Sequence, residues 1–355
     1  MKKIVVVFGT RPEAIKLSPV IRRLKQDFDV VTVSTGQHRE LLEQVIDLLG
    51  IRVDHELGVM TENQTLTNLT CVLHRQIADV FEKEKPDLVV VQGDTHTVVV
   101  SALEAYYHQI PIAHVEAGLR TDDIYNPFPE EGNRRIVSQI ASFNFAPTET
   151  AHKRLLREKV PGKSLVTGNT GIDTLLSMAR GLVVAPTNQV LVTLHRRESF
   201  GDTMKGMLEA LAEFVEINTN HSILFPVHPN PNVKKMVYEV LGDHPRIKLV
   251  SPLNYEEMVE ALLACRFVIT DSGGLQEEAP SLKKPVLVLR NTTERPEGVE
   301  RGLALLVGTD PKKIVKEATR LATSPQLYKQ MTTAPSPYWD GRASERIAEY
   351  LKENL

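Results

Sequence analysis

The stretch from Phe267 to Arg290, FVITDSGGLQEEAPSLKKPVLVLR, holds a whole unit of the fold. Phe267-Val268-Ile269 is an apolar run and reads as a buried strand. It stops at Asp271-Ser272-Gly273-Gly274, an acidic helix start follows, and a second apolar run, PVLVL at 285–289, closes the segment. Strand, glycine turn, helix and strand in that order make a βαβ unit of a parallel sheet. Two glycines at a strand-to-helix turn offer amide N–H groups and close backbone approach to an anion. The carboxylates of Glu277 and Glu278, just behind, would repel one, so the ligand must want both.

The same rhythm extends to both ends of the chain. Short β-branched runs at 4–8, 30–34, 88–92, 110–115, 143–146 and 164–168 form one series, and those at 189–194, 222–227, 247–250, 267–270, 285–289 and 304–307 a second. Most are continuously apolar, as strands buried on both faces are. Amphipathic stretches at 38–49, 65–84, 95–107, 203–217, 254–264 and 310–322 read as helices between them. The fold class is α/β, with two doubly wound parallel-sheet domains. Periodicity fails at GLVVAPTNQ (181–189), which places the domains at 1–180 and 181–340. The tail 341–355 follows PSPYWDGR, and its helix, about 342–354, is expected to pack back on the first domain.

Composition excludes several classes. The 355 residues carry 42 basic and 45 acidic side chains, a net charge of −3, with no long Lys/Arg block, which argues against nucleic acid. No run approaches the roughly 18 apolar residues that span a bilayer. The N-terminal apolar run is too short for a signal peptide and lacks a cleavage site. Two distant cysteines, Cys71 and Cys265, fit a reducing cytoplasm. There the Asn-x-Thr triplets at Asn63, Asn68 and Asn291 carry no glycan.

The polar residues that interrupt these runs are Gly9-Thr10-Arg11, Gly36-Gln37-His38, Gly93-Asp94-Thr95, His114 with Glu116, His195-Arg196-Arg197-Glu198, His228, and Asp271 to Gly274. All lie at the C-terminal ends of predicted strands, the edge at which open parallel sheets bind ligands. With Ser272 as helix cap, Gly273 and Gly274 form a diphosphate site without a lysine. Glu278, one turn beyond Gly274, can accept two hydrogen bonds from a vicinal diol. A ribose diol beside a diphosphate is half a nucleotide, although SGG alone reads equally as a tight turn with solvated glutamates. Arg11 and Lys16 can reach an anion at the same edge, or can simply be solvated. Asp94, Glu116 and the Glu130-Glu131 pair read as acid–base carboxylates, and acids at a helix start also just favour its dipole. Asp94, His114 and Glu116 are also a possible ligand set for a metal by residue type, but no His pair at i,i+4 supports one, so no metal is assigned. No cofactor is assigned either, because G-x-G-x-x-G is absent. Gly162-Lys163-Ser164 imitates a P-loop tail, but position 157 is Arg and a strand follows.

Together GTRPEAIKLSPV, TGQHRELL, QGDT, HVEAGLRT, PEEGNRR, LVTLHRRESFGD, PVHPNPNV and TDSGGLQEEAPSLKKPVLVLRNTTERPEGVE resemble the non-hydrolysing UDP-N-acetylglucosamine 2-epimerases. The resemblance runs in order from Lys3 to about Gly341. It implies a GT-B fold, two Rossmann-like domains with the active site in the interdomain cleft. It also implies a cytoplasmic homodimer that interconverts UDP-GlcNAc and UDP-ManNAc without NAD and supplies ManNAc for cell-surface polysaccharide. By resemblance, Arg11, His195, Ser272, Gly273 and Gly274 hold the diphosphate, Glu278 takes the ribose, and Arg295 lines the UDP pocket. Lys16, Asp94, Glu116 and Glu130 surround the sugar. Gln37, His38, Arg196 and His228 fit an allosteric UDP-GlcNAc site, although Asn63 stands where some regulated members carry Arg. The alternatives are a hydrolysing epimerase, a GT-B glycosyltransferase and a UDP-sugar-binding regulator without turnover; a pure binder has no use for the acidic set.

Overall fold

The computed structural model describes residues 1–36, 39–61, 64–121, 123–196, 199–293, 295–338 and 340–355. Gln37, His38, Asn63, Arg197 and Glu198 therefore lie outside the described residues. The chain forms two compact units, Met1–Thr174 with Tyr338–Leu355, and Leu175–Pro337. In the first, β1 (Lys3–Phe8), β2 (Asp29–Ser34), β3 (His55–Glu56), β4 (Leu88–Gln92), β5 (Ile112–Val115), β6 (Phe143–Ala146) and β7 (Lys163–Val166) form a parallel sheet in the order β3-β2-β1-β4-β5-β6-β7. In the second, β8 (Gln189–Thr193), β9 (Ser222–Pro226), β10 (Ile247–Val250), β11 (Phe267–Thr270), β12 (Val286–Val288) and β13 (Ala304–Leu306) follow the order β10-β9-β8-β11-β12-β13, again parallel.

The continuous apolar runs explain the architecture. Every residue of β4 and β11 is buried, and such strands are stable only when helices cover both faces. In the first unit Val5, Val7, Val89 and Val91 pack against Leu73, Ile77 and Val98. In the second, Val190, Val192, Phe225 and Phe267 meet Leu208, Leu211, Phe214 and Ile314. Each fully buried aliphatic side chain contributes about 1.5–3 kcal/mol relative to an exposed one.

Both strand orders reverse direction once, between β1 and β4 and between β8 and β11. At such a reversal the two following loops diverge to opposite faces and leave a crevice beyond the strand ends. Gly9-Thr10-Arg11 follows β1 and Gly93-Asp94-Thr95 follows β4. His195 and Asp271 stand two and one residues past the ends of β8 and β11.

Helix Ala343–Asn354 belongs to the first unit. No side chain of its own caps it. Instead Asp173 accepts from Ala343 N (3.1 Å), Ser344 N (2.7 Å) and Ser344 Oγ (2.6 Å). Further along, Tyr350 sets its ring edge-on to Phe143 and Phe145. Among the described residues no helix is long and apolar enough to cross a membrane. Cys71 and Cys265 are both free thiols.

Candidate active site

In the first unit, Asp94 lies in the turn after β4. Arg134, from helix Glu130–Ile140, donates to its Oδ2 through Nε at 2.7 Å, and Asn133 Nδ2 donates to its carbonyl at 2.8 Å. Glu116 directly follows β5 in the left-handed region, φ 67°. A side chain rarely adopts that conformation unless its surroundings impose it. The turn presents the Glu116 carboxylate to Lys16 Nζ, its ion-pair partner, and to Gln92 Nε2, which donates at 2.9 Å.

The two neighbouring glutamates of PEEGNRR separate cleanly. Glu131 is fully buried and accepts from Thr121 N and Arg135 Nε, with Arg134 close by, so it ties its helix to a loop. Glu130 keeps a buried Oε2 with no hydrogen-bond partner among the described residues.

His114 does not join Asp94 and Glu116 as a ligand. It is fully buried, its Nε2 meets the Gly93 carbonyl at 2.7 Å, and burial pushes its pKa down to about 4, so the ring is neutral. Its task is to hold the turn that carries Asp94. Asp94 and Glu116 each face a cation, and among the described residues no group of three His, Cys, Asp or Glu could hold a metal ion.

In the second unit, Asp271 organises the strand ends. Its Oδ2 accepts from His195 N (2.8 Å) and Arg196 N (2.9 Å), and its Oδ1 lies 2.8 Å from His195 Nδ1. Burial raises the Asp271 pKa, but His195 and these amides outweigh burial and hold it below the ordinary value. The His195 ring also stacks on His228, centroids 5.7 Å apart.

Helix Leu275–Ser281 begins later than the sequence implies. Gly274, not Ser272, occupies the capping position, and no side chain caps it. Ser272 is held otherwise: its amide donates to Thr270 Oγ1, and its carbonyl accepts from Gln276 Nε2. A β-carbon on Gly273 would stand 3.7 Å from Arg295 Cζ and 3.9 Å from Arg196 Nη2, ordinary contact distances, so both guanidinium groups lie beside the turn. Arg196 thus stands with the glycine turn. Arg295 is fixed by Glu277, whose Oε1 accepts from its Nε at 2.6 Å. Glu278, half-buried, lies near the buried Tyr255 hydroxyl, and burial followed by the Glu278 charge drives that phenol's pKa well up. A separate concavity of about 670 Å³ lined by Asp202, Arg290, Asn291 and Lys313 includes none of these groups.

The anchoring contacts of two residues do not show in the sequence. Asp271 reads there as a polar residue at the start of the glycine turn. Glu13 matches the Thr-x-x-Glu signal of a helix start, and that signal says nothing of its other contacts.

A model of the UDP-N-acetylglucosamine 2-epimerase family matches residues 22–352. The chain belongs to that family. The UDP-N-acetylglucosamine 2-epimerase of Yersinia pestis is 45% identical over 99% of both chains. That of Bacillus subtilis is 45% identical over 98% of this chain and 94% of its own. Among solved structures, the Neisseria meningitidis UDP-GlcNAc 2-epimerase bound to UDP-GlcNAc is 40% identical, covers 99% of this chain and 100% of its own, and superposes with a TM-score of 0.90. The Methanocaldococcus jannaschii enzyme in complex with UDP-GlcNAc and UDP is 36% identical over 99% of each, with a TM-score of 0.82. Like its epimerase relatives, the chain has the GT-B fold of two Rossmann-like domains.

Proposed function

We propose that this protein interconverts UDP-GlcNAc and UDP-ManNAc by eliminating UDP and adding it back. The observation that carries the reading is the acidic set at the sheet edge of the first unit. Asp94 and Glu116 follow neighbouring strands, each facing a cation, and Glu130 keeps a buried oxygen without a hydrogen-bond partner among the described residues. Nucleotide binding alone needs none of these. Inversion at C2 needs one group to take a proton from one face and another to return it to the other.

The C2 proton goes to one carboxylate while its bonding pair forms the C1–C2 double bond. The C1–O pair leaves with UDP, giving 2-acetamidoglucal. Re-addition reverses both steps, with the proton delivered to the opposite face. The leaving diphosphate gathers negative charge, which cations and amides already in place stabilise. Arg11, His195, Ser272, Gly273, Gly274 and Arg295 take that role. With Nδ1 turned to Asp271, His195 addresses a phosphate oxygen through Nε2. Arg196 stands close enough to Gly273 to share the diphosphate, and His228 buttresses His195 by stacking. Lys16 holds Glu116 beside the sugar, and Glu278 takes the ribose diol.

The test is incubation with UDP-GlcNAc in D2O, followed by NMR. Deuterium should appear at C2 of both UDP-sugars and at no other ring carbon, without added nicotinamide cofactor. Free ManNAc as the main product would assign the hydrolysing reaction instead. No exchange at C2 would defeat epimerisation altogether.

A further inference from the structure

We infer that Glu13 is a positioning residue that holds the Gly9–Arg11 loop and the Gly93–Thr95 turn in register, and through them sets Asp94 against Arg11. The inference rests on the epimerase reading. Its basis is the hydrogen bonding of one carboxylate. Glu13 Oε2 accepts from Gly9 N at 2.6 Å and from Thr10 N at 3.0 Å. Its Oε1 accepts from the hydroxyl of Thr95, 82 residues away. The loops on either side of the sheet's reversal, after β1 and after β4, are thus joined through one side chain.

An ordinary capping glutamate would do less. At the third position of a helix, such a residue reaches back to its own capping amide and otherwise faces solvent. Glu13 does reach the Thr10 amide, but it is only 2% exposed. Thr95 departs from habit in a matching way. It occupies the capping position of helix His96–Tyr107, yet its side chain accepts no hydrogen bond from that helix. Its hydroxyl goes to Glu13.

The remaining contacts of the turn agree. His114 holds the Gly93 carbonyl from below and Asn133 the Asp94 carbonyl. Glu13 thus completes a frame in which the turn is gripped at three successive residues. Three donors converging on one carboxylate suit an acceptor-only group. Burial, helped by the charge of Asp94, pushes the Glu13 pKa up to about 7 against the hydrogen bonds from Thr95, Gly9 and Thr10.

The test cuts the link without touching either loop's chemistry. Wild-type exchange at C2 is measured first, and its absence would sink the epimerase reading rather than this inference. Thr95→Val removes the hydroxyl, while Gly9 and Thr10 stay bound to Glu13. It should lower kcat about 10-fold or more, since a 1 Å misplacement can cost on the order of 100-fold, with UDP affinity nearly unchanged. Thr95→Ser restores the hydroxyl and should recover most of the rate. Combined with Asp94→Asn, Thr95→Val should cost little more, because the two act through one group. Thr95→Ala repeats the comparison should the valine variant unfold early in a thermal melt. A wild-type rate in Thr95→Val, a serine variant as slow as the valine one, or fully multiplicative losses with Asp94→Asn would overturn the inference.

Discussion

Glu278 illustrates how one side chain decides between ligands. A carboxylate one turn behind a glycine turn cannot hold phosphate, but it can hold a diol. On the proposed ribose contact, glutamine would replace a charged acceptor by a neutral one, so Glu278→Gln should weaken UDP binding by about 1–3 kcal/mol. Calorimetry with 2′,3′-dideoxy-UDP supplies the control, because that nucleotide should bind both proteins alike. Equal losses for the two nucleotides would remove Glu278 from the ribose. Asp94, His195 and Asp271 stand out in the sequence as polar residues just past apolar runs, and Glu278 by its place one turn behind the glycines. The contacts of Glu13 and Asp271 do not show there, because their partners lie 82 and 76 residues away. Nor could the sequence separate Glu130 from Glu131, since both stand at a helix start and only the packing of Thr121 and Arg135 distinguishes them.

Among elements, the helix Ala343–Asn354 depends on a distant residue. Asp173→Ala deletes its borrowed cap and strands three donors. It should destabilise the protein by about 1–3 kcal/mol. Amide hydrogen exchange should quicken most in that helix, and an unchanged melt with unchanged exchange would show that the cap is incidental. The helix itself was readable at 342–354, as were the strands, because burial on two faces writes an unbroken β-branched run. The strand His55–Glu56 was not. It is two polar residues long and exists through its pairing with Val33 and Ser34 at the sheet edge. The start of helix Leu275–Ser281 was misjudged by its serine, whose backbone is engaged by Thr270 and Gln276 instead.

At the scale of the whole molecule, two buried groups give the stability opposing dependences on pH. Neutral His114, with a pKa near 4 against an ordinary 6.5, leaves the unfolded chain holding the extra proton. Its contribution is complete above pH 6.5 and is lost as pH falls toward 4. Glu13, near 7 against 4.5, binds its proton in the native state when the unfolded chain has released it. Its contribution is complete below pH 4.5 and is lost as pH rises toward 7. Each amounts to roughly 3 kcal/mol, so between pH 4.5 and 6.5 they nearly cancel. Glu13→Gln removes one side of the balance. The stability of the variant in urea, taken relative to wild type, should climb by roughly 3 kcal/mol across that window; a constant difference would show that Glu13 does not titrate there.

The chain's route has a further consequence at the ribosome. Residues 338–355 complete the first unit, yet all of residues 175–337 are translated before them. Until then Asp173 has no helix amides to receive, and Tyr350 has not reached Phe143 and Phe145. A nascent chain interrupted inside the second unit is left with an apolar seat open to chaperones and proteases. That seat can close only after the second unit has been made.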